Sequence, residues 1–189
     1  QYGRPLFTKG YGYRDAAKKQ MNDTNTVFQI GSITKTFTAT MVLMLQEQGK
    51  LDVKDKLEKY MPDYPDADKI TIENLLTHTS GIYNYTEDTV FANKGLFAPK
   101  SRKEMIAVFK DKLTGIDPGN IFSYSNSNYI LLGYIIEDIT RKPYYTALRE
   151  MILQPLDMRN TGCDFAGLKN KYKAIGYFSM EDNNSIKAP

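Results

Sequence analysis

An apolar, threonine-rich run from Phe37 to Leu45 constrains the fold more than any other stretch of the chain. Its apolar residues recur at steps of three and four, which is typical of a helix, and Gly49 is placed to end that helix. The run follows a Ser-Ile-Thr-Lys tetrapeptide at positions 32–35. Residues three apart share one face of a helix, so Ser32 and Lys35 should point into the same space from the first turn.

A serine and a lysine in this arrangement can support nucleophilic catalysis. A serine hydroxyl attacks poorly until a neighbouring base takes its proton, and a lysine becomes such a base when burial or a nearby cation lowers its pKa. The unpaired N–H groups of a first helical turn can donate to an oxyanion. The alternative is structural, with Ser32 as a helix cap and Lys35 as a solvated surface residue.

Composition and charge exclude several classes of protein. A chain of 189 residues with 41% hydrophobic content can bury a core as one domain or two small ones. Its net charge of +3 is small, and its basic residues are interleaved with acidic ones, which favours neither nucleic acid nor an anionic membrane as a partner. The longest apolar run, residues 129–136, is too short for a transmembrane segment. One histidine and one cysteine do not suffice for a zinc cluster, and no metal or other cofactor is predicted.

A second informative stretch, residues 122–129, alternates small polar and aromatic residues before an apolar helix that runs to about Ile139. Tyr124 and Asn126 are two apart on predicted extended backbone and should project to the same side. Tyr124 could carry a proton if cations depress its pKa, and Asn126 could offer its amide to a substrate carbonyl. The structural alternative is a capped helix start with buried aromatic residues.

The remaining patterns predict a partial sheet at the two ends of the chain and helices between them. Strands are predicted at 4–13 and 174–178, with a loop at 15–26. No strand precedes the first one, so either residues are missing upstream or its partner comes from elsewhere. Further helices are predicted at 71–81, after a capping box at Ser101–Glu104 and after Pro143, and an irregular substrate-facing loop at 83–100. We therefore divide the chain into a partial sheet region (1–30), a mainly helical region (31–160) and a loop with a partial strand (161–189).

His78 is the chain's one histidine and would have to be the base of a serine-histidine-aspartate triad. Neither Ser32 nor Ser80 lies in the Gly-x-Ser-x-Gly turn in which α/β-hydrolases hold their nucleophile. We therefore interpret His78 as a structural hydrogen-bonding residue near the site.

Four motifs occur in a fixed order: Phe-x-Ile-Gly-Ser-Ile-Thr-Lys at 28–35, Leu-Leu-Thr-His-Thr-Ser-Gly at 75–81, Tyr-Ser-Asn at 124–126 and Pro-Leu-x-Met-x-x-Thr at 155–161. Together they resemble the serine β-lactamase and penicillin-binding protein family, in the branch of class C β-lactamases, D-alanyl-D-alanine carboxypeptidases and related esterases. The resemblance covers nearly the whole chain. It implies an α and β, beta-lactamase/transpeptidase-like fold, with a helical domain and part of an antiparallel sheet domain.

By that resemblance Ser32 would be the acylated nucleophile, Lys35 its activating amine and Tyr124 the proton carrier, and Asn126 would hold the substrate's amide. The implied chemistry is hydrolysis of an amide, β-lactam or ester through an acyl-enzyme. A penicillin-binding-type D-Ala-D-Ala peptidase or esterase is preferred, with a class C-like β-lactamase as the alternative. The implied substrate is a small molecule or a peptidoglycan peptide, and the implied location is the bacterial periplasm or cell envelope.

The chain departs from the family pattern in ways that keep a second class of function open. The family's Lys- or His-x-Gly motif and its outer strands do not occur, and Asp157 replaces a usual glycine. We therefore expect a chain truncated at both ends, whose exposed sheet edge could pair with another chain. The alternative function is a non-catalytic fragment or fold relative that binds a peptidoglycan-like ligand or a partner; the intact serine, lysine, tyrosine and asparagine favour the hydrolase.

Overall fold

The computed structural model describes residues 4–94, 100–112, 114–163, 172–179 and 186–187. The chain divides into two units. One unit is formed by the two ends of the chain, up to Gly31 and from Arg159 onward, and the other is Ser32–Met158.

The unit formed by the chain ends contains two antiparallel strand pairs. β1 (Tyr13–Asp15) pairs with β2 (Gln20–Met21), and β3 (Tyr177–Ser179) pairs with β4 (Ile186–Lys187). Both pairs contain a shift of register, and an isolated parallel bridge joins Val27 to Lys173. The fold thus combines helices with small pieces of antiparallel sheet.

The first predicted strand is wrong in extent and in partner. Among the described residues of the segment 4–13, only Tyr13 is in a strand, and β1 continues into the predicted loop. Its partner β2 lies in that same predicted loop, not elsewhere. The chain reverses between them at a tight turn, in which the Lys19 N–H donates to the Ala16 carbonyl and Lys19 has a φ of 52°.

The unit Ser32–Met158 is helical. Its α-helices, within the part of the chain that the structure describes, are α1 (Thr34–Glu47), α2 (Ile72–Leu76), α3 (Thr89–Lys94), α4 (Arg102–Ala107), α5 (Asn126–Thr140) and α6 (Tyr144–Leu148). Short 3-10 turns occur at Gly31–Ile33, Leu57–Lys59 and Tyr85–Glu87, and a π-helical turn follows α6 at Arg149–Leu153.

Helix α5 is the centre of the core. It contacts α1, α2 and α6 and buries one apolar face completely, through Leu131, Leu132, Ile135 and Ile136. Helix α1 supplies Met41, Val42 and Leu45 to the same core. Arg102 of α4 donates two further hydrogen bonds, of 2.7 and 2.6 Å, to the Asp138 carboxylate of α5.

The helix ends confirm several local predictions. Helix α1 closes as expected at Gly49, which has a φ of 66°, and the following Lys50 N–H donates to the Leu45 carbonyl at 2.9 Å. The capping box predicted at Ser101–Glu104 is present and opens α4. A helix follows Pro143, also as predicted.

Two other predictions need correction. The helix predicted over 71–81 ends at Leu76, because His78 takes left-handed backbone with a φ of 57° and cannot continue it. The segment predicted as an irregular loop, 83–100, contains a 3-10 turn and helix α3, whose start is capped by the Asp88 carboxylate accepting from the Phe91 N–H at 2.6 Å.

Within the described residues, every helix is too short or too polar to pass through a lipid bilayer.

Replacing Ile135 of α5 by alanine should lower the free energy of unfolding by about 2–5 kcal/mol, because it leaves a cavity at a fully buried position. Urea denaturation monitored by circular dichroism measures this change. The matched control is Leu43→Ala on α1, where the side chain is 52% exposed and the expected cost is below about 1 kcal/mol. Equal losses for both variants would contradict the placement of the core.

Candidate active site

Ser32 and Lys35 meet at the start of α1. Ser32 lies in the 3-10 turn Gly31–Ile33 that leads into the helix, and Gly31 enters that turn with a φ of 49°. The Lys35 ammonium donates to the Ser32 hydroxyl at 3.1 Å. The prediction that these two side chains share one space is therefore confirmed.

Tyr124 and Asn126 approach the same pair from the start of α5. The Tyr124 and Ser32 hydroxyls share a hydrogen bond of 2.8 Å. The Lys35 ammonium also donates to the Asn126 side-chain oxygen, Oδ1, at 2.7 Å, and Tyr124 lies 3.4 Å from the same oxygen. Extended backbone at Ser125, with φ −138° and ψ 121°, turns both side chains to one side.

The purely structural interpretation of Ser32 and Lys35 does not agree with this geometry. The N-cap of α1 is Ile33, with no side-chain cap, so Ser32 does not serve as one. Lys35 is half-buried and donates to two side chains, unlike a freely solvated lysine. All four predicted residues therefore converge, although convergence alone assigns no role to any of them.

The electrostatics of the site act most clearly on Tyr124. The Lys35 ammonium, and then the hydrogen bond with Ser32, hold the pKa of the Tyr124 phenol below its ordinary value, because a nearby cation and a donated hydrogen bond both favour the phenolate. The ammonium also lies 5.0 Å from the centre of the Tyr124 ring. Because each of these contacts stabilises the phenolate, Tyr124 gives up its proton more easily than a tyrosine without such partners.

His78 holds the backbone on both sides of Tyr124. Its carbonyl accepts from the Ser123 N–H at 2.8 Å, and its ring nitrogen Nδ1 accepts from the Ser125 N–H at 3.2 Å. The imidazole and the Tyr124 ring lie with their centres 4.4 Å apart. Since Nδ1 accepts, the neutral ring carries its proton on Nε2. The interpretation of His78 as a structural hydrogen-bonding residue is confirmed.

The charge state of His78 is also set by this environment. The residue is 8% exposed, and burial, followed by the nearby charge of Lys35, lowers the pKa of its imidazole. Neutral His78 is therefore the form that the folded site favours.

Sequence reasoning missed Asn84 and Thr86. The Asn84 side-chain oxygen accepts from the Asn126 backbone N–H at 3.0 Å and from the Asn126 side-chain nitrogen, Nδ2, at 3.3 Å. Thr86 Oγ1 accepts from the same Nδ2 at 3.3 Å. Both residues belong to the stretch predicted as a substrate-facing loop, and no spacing in the sequence relates them to Asn126. In the structure, these two residues of the stretch contact the Asn126 side chain.

Residues suited to a metal do not gather here. The described ranges contain no group of three or more histidine, cysteine, aspartate or glutamate side chains placed to hold an ion.

Removing the Lys35 ammonium should raise the pKa of Tyr124 towards the ordinary tyrosine value of about 10, since the largest effect lowering it is lost. The change is measured for Lys35→Met by ultraviolet difference titration, with Tyr124→Phe in each background isolating this one tyrosine. Lys59→Met removes a lysine that is paired with Asp55; it is the control and should leave the Tyr124 titration unchanged. An unaltered Tyr124 titration in Lys35→Met would contradict the described electrostatics.

The His78 imidazole should make unfolding depend on pH near neutrality. Its pKa is lowered on folding, so the unfolded chain binds the proton more readily. The stabilisation should be complete above about pH 6.5 and decline as the pH falls below it. Urea denaturation at several pH values measures this slope. His78→Asn keeps a carbonyl acceptor and suits the left-handed backbone, but should remove the slope; a slope retained in that variant would assign it to other groups.

Comparison with known proteins places this chain in a family. A family model described as "Beta-lactamase" matches residues 1–185. Protein flp of Staphylococcus aureus (strain COL) is 36% identical over 182 residues, which cover 93% of this chain and 36% of that protein.

Solved structures extend the comparison to the fold. The chain is similar to a penicillin binding protein from Bacillus halodurans, with a TM-score of 0.78 and 30% identity over 93% of this chain and 54% of that one. It is also similar to the D-amino acid amidase of Ochrobactrum anthropi SV3, solved with L-phenylalanine amide, with a TM-score of 0.76 and 28% identity over 92% of this chain and 49% of that one.

The chain thus spans 36–54% of the lengths of these three proteins. The likeness to solved structures confirms the predicted beta-lactamase/transpeptidase-like fold. Because the family model matches almost the entire sequence, the chain belongs to the Beta-lactamase family.

Proposed function

We propose that this chain carries the acyl-transfer site of a serine hydrolase that forms an acyl-enzyme on Ser32. The observation that supports this most is the position of the Ser32 hydroxyl, 2.8 Å from the Tyr124 hydroxyl and 3.1 Å from the Lys35 ammonium. A nucleophile that contacts both a proton acceptor and a cation has the activation that acyl transfer needs.

Tyr124 takes the proton from Ser32 in this proposal. Lys35 donates to Ser32 and to Asn126, and an ammonium that donates has no lone pair with which to accept a proton. Tyr124 has a lowered pKa and is within hydrogen-bond reach, so it suits the role of general base. Lys35 acts as the cation that stabilises the phenolate.

The reaction then proceeds in two steps. Ser32 Oγ bonds to the substrate carbonyl carbon as its proton passes to Tyr124, and the leaving group departs with that proton. Water attacks the resulting ester, gives its proton to Tyr124, and Ser32 recovers a proton as the acyl group leaves. The backbone N–H of Ser32, at the start of α1, is proposed to donate to the oxyanion in both steps.

Asn126 is proposed to hold the amide of the substrate. Its side-chain nitrogen contacts the hydroxyl of exposed Thr86 at 3.3 Å, and a substrate carbonyl would take the place of that hydroxyl. Its oxygen continues to accept from Lys35. The nitrogen of the Asn126 amide would therefore bind the substrate while the oxygen binds the cation.

The proposed substrates are amides, β-lactams or esters, with a penicillin-binding-type D-Ala-D-Ala peptidase or esterase preferred. The similarity to a penicillin binding protein supports the peptidase, and the similarity to a D-amino acid amidase adds D-amino acid amides to the compounds to test. A class C-like β-lactamase is the alternative. A bacterial periplasmic or cell-envelope location would suit each of these substrates.

A non-catalytic role is the second candidate. In this case the four site residues would bind a peptidoglycan-like ligand or a partner without turnover.

Intact-mass spectrometry after incubation with a fluorescent penicillin, and separately with a reactive ester, tests the proposal. One adduct per chain is expected in the wild type and in the neighbouring control Ser123→Ala, and none in Ser32→Ala. A long-lived penicillin adduct would favour the penicillin-binding type, and rapid loss of the adduct with product release would favour the β-lactamase.

The result that overturns the hydrolase proposal for this chain is a folded wild type that gains no mass from either compound. Equal labelling of wild type and Ser32→Ala would also overturn it, since the acylated group would then be another residue.

A further inference from the structure

A line of side-chain hydrogen bonds leads from the surface to Lys35. The Asn84 side-chain nitrogen donates to the Glu87 carboxylate at 3.2 Å. The Asn126 side-chain nitrogen donates to the Asn84 side-chain oxygen at 3.3 Å, and Lys35 donates to the Asn126 side-chain oxygen at 2.7 Å. Two amides in series thus connect a carboxylate to an ammonium.

The two ends of this line determine the direction of both amides. An ionised carboxylate only accepts hydrogen bonds and an ammonium only donates them. Asn84 must therefore turn its NH₂ group to Glu87 and its oxygen to Asn126. Asn126 in turn presents its NH₂ group to Asn84 and its oxygen to Lys35.

A donor that cannot reverse supports the same direction. The Asn126 backbone N–H is a fixed donor, and it donates to the Asn84 side-chain oxygen at 3.0 Å. The Thr86 hydroxyl donates to this oxygen as well, also at 3.0 Å. Asn84 Oδ1 is therefore the acceptor for three donors from two directions, and a reversed Asn84 would set its NH₂ group against the backbone N–H.

We propose that Asn84 is a positioning residue of the acyl-transfer site, which holds the Asn126 amide with its oxygen towards Lys35. The inference rests on the proposed function for its catalytic consequence. Asn84 itself contacts neither Ser32 nor Tyr124 through any hydrogen bond that the structure describes, and it acts through Asn126.

The orientation matters because a reversed Asn126 would present NH₂ to the Lys35 ammonium, donor against donor. Lys35 would then lose the shorter of its two hydrogen bonds and shift away from Ser32. The effect of its ammonium on the pKa of Tyr124, the largest that lowers it, would weaken together with its contact to the nucleophile.

Four variants separate this role from a general effect on folding. Asn84→Leu has a similar shape but no polar atoms. Asn84→Asp keeps acceptor oxygens for Asn126 but sets a carboxylate against Glu87. The double variant Asn84→Asp/Glu87→Gln exchanges donor and acceptor within that pair and restores the hydrogen bond, with an oxygen still directed at Asn126. Glu58→Gln, at another exposed glutamate, is the matched control.

Two measurements are made on the full chain for each variant, beside a thermal melt. The first is the rate of Ser32 acylation by fluorescent penicillin, which should fall about 10- to 100-fold in Asn84→Leu and fall also in Asn84→Asp. The acylation rate of the double variant should return to within about threefold of the wild-type rate, and the rate of Glu58→Gln should equal that of the wild type. The second is the Tyr124 difference titration, whose midpoint should move upward in Asn84→Leu and return in the double variant.

The titration does not require turnover, so it tests the positioning role even if the wild type is not acylated. A wild type that is not acylated would count against the proposed function alone. An unchanged Tyr124 midpoint in folded Asn84→Leu would overturn the inference, whether or not acylation slows, because a slower rate alone would then reflect a structural effect. Failure of the double variant to recover either measurement would overturn it as well.

Discussion

The hydrogen bond from Lys35 to the Asn126 oxygen is the interaction on which the rest of the site depends. It draws a half-buried ammonium to the place where the first turn of α1 meets the first residue of α5. From there the same cation reaches Ser32 and lowers the pKa of Tyr124. One charge therefore positions the Ser32 hydroxyl and the Tyr124 phenol, and its own position is determined by a neutral amide.

That amide is supported by a segment that contains none of the four predicted site residues. His78 binds the backbone on either side of Tyr124, and Asn84 binds both the backbone and the side chain of Asn126. The Tyr83 carbonyl accepts from the hydroxyls of Ser125 and Ser127. The residues at 78–86 thus hold the start of α5 in one conformation through hydrogen bonds. These bonds restrict the positions of the tyrosine and the asparagine side chains.

Sequence reasoning succeeded where short-range patterns decide the structure. The three-residue spacing of Ser32 and Lys35, the closure of α1 at Gly49 and the capping box at Ser101 are all local, and each is present. It failed where distant residues decide, and where a local turn has no clear signal in the sequence. The contact of Asn84 with Asn126 spans 42 positions, and the pairing of β1 with β2 depends on a turn with left-handed Lys19, a residue type without a strong turn preference.

Helix α5 joins the site to the core, because its first residue belongs to the site and its middle is fully buried. Local opening of a protein is easiest where few apolar contacts must be broken. Asn126 is therefore not part of a loosely held end. Its separation from Lys35 would disturb a helix that is anchored by Leu131, Leu132, Ile135 and Ile136. The geometry around Ser32 should therefore persist until the helical unit itself melts, so that the fold and the arrangement of the site are lost together.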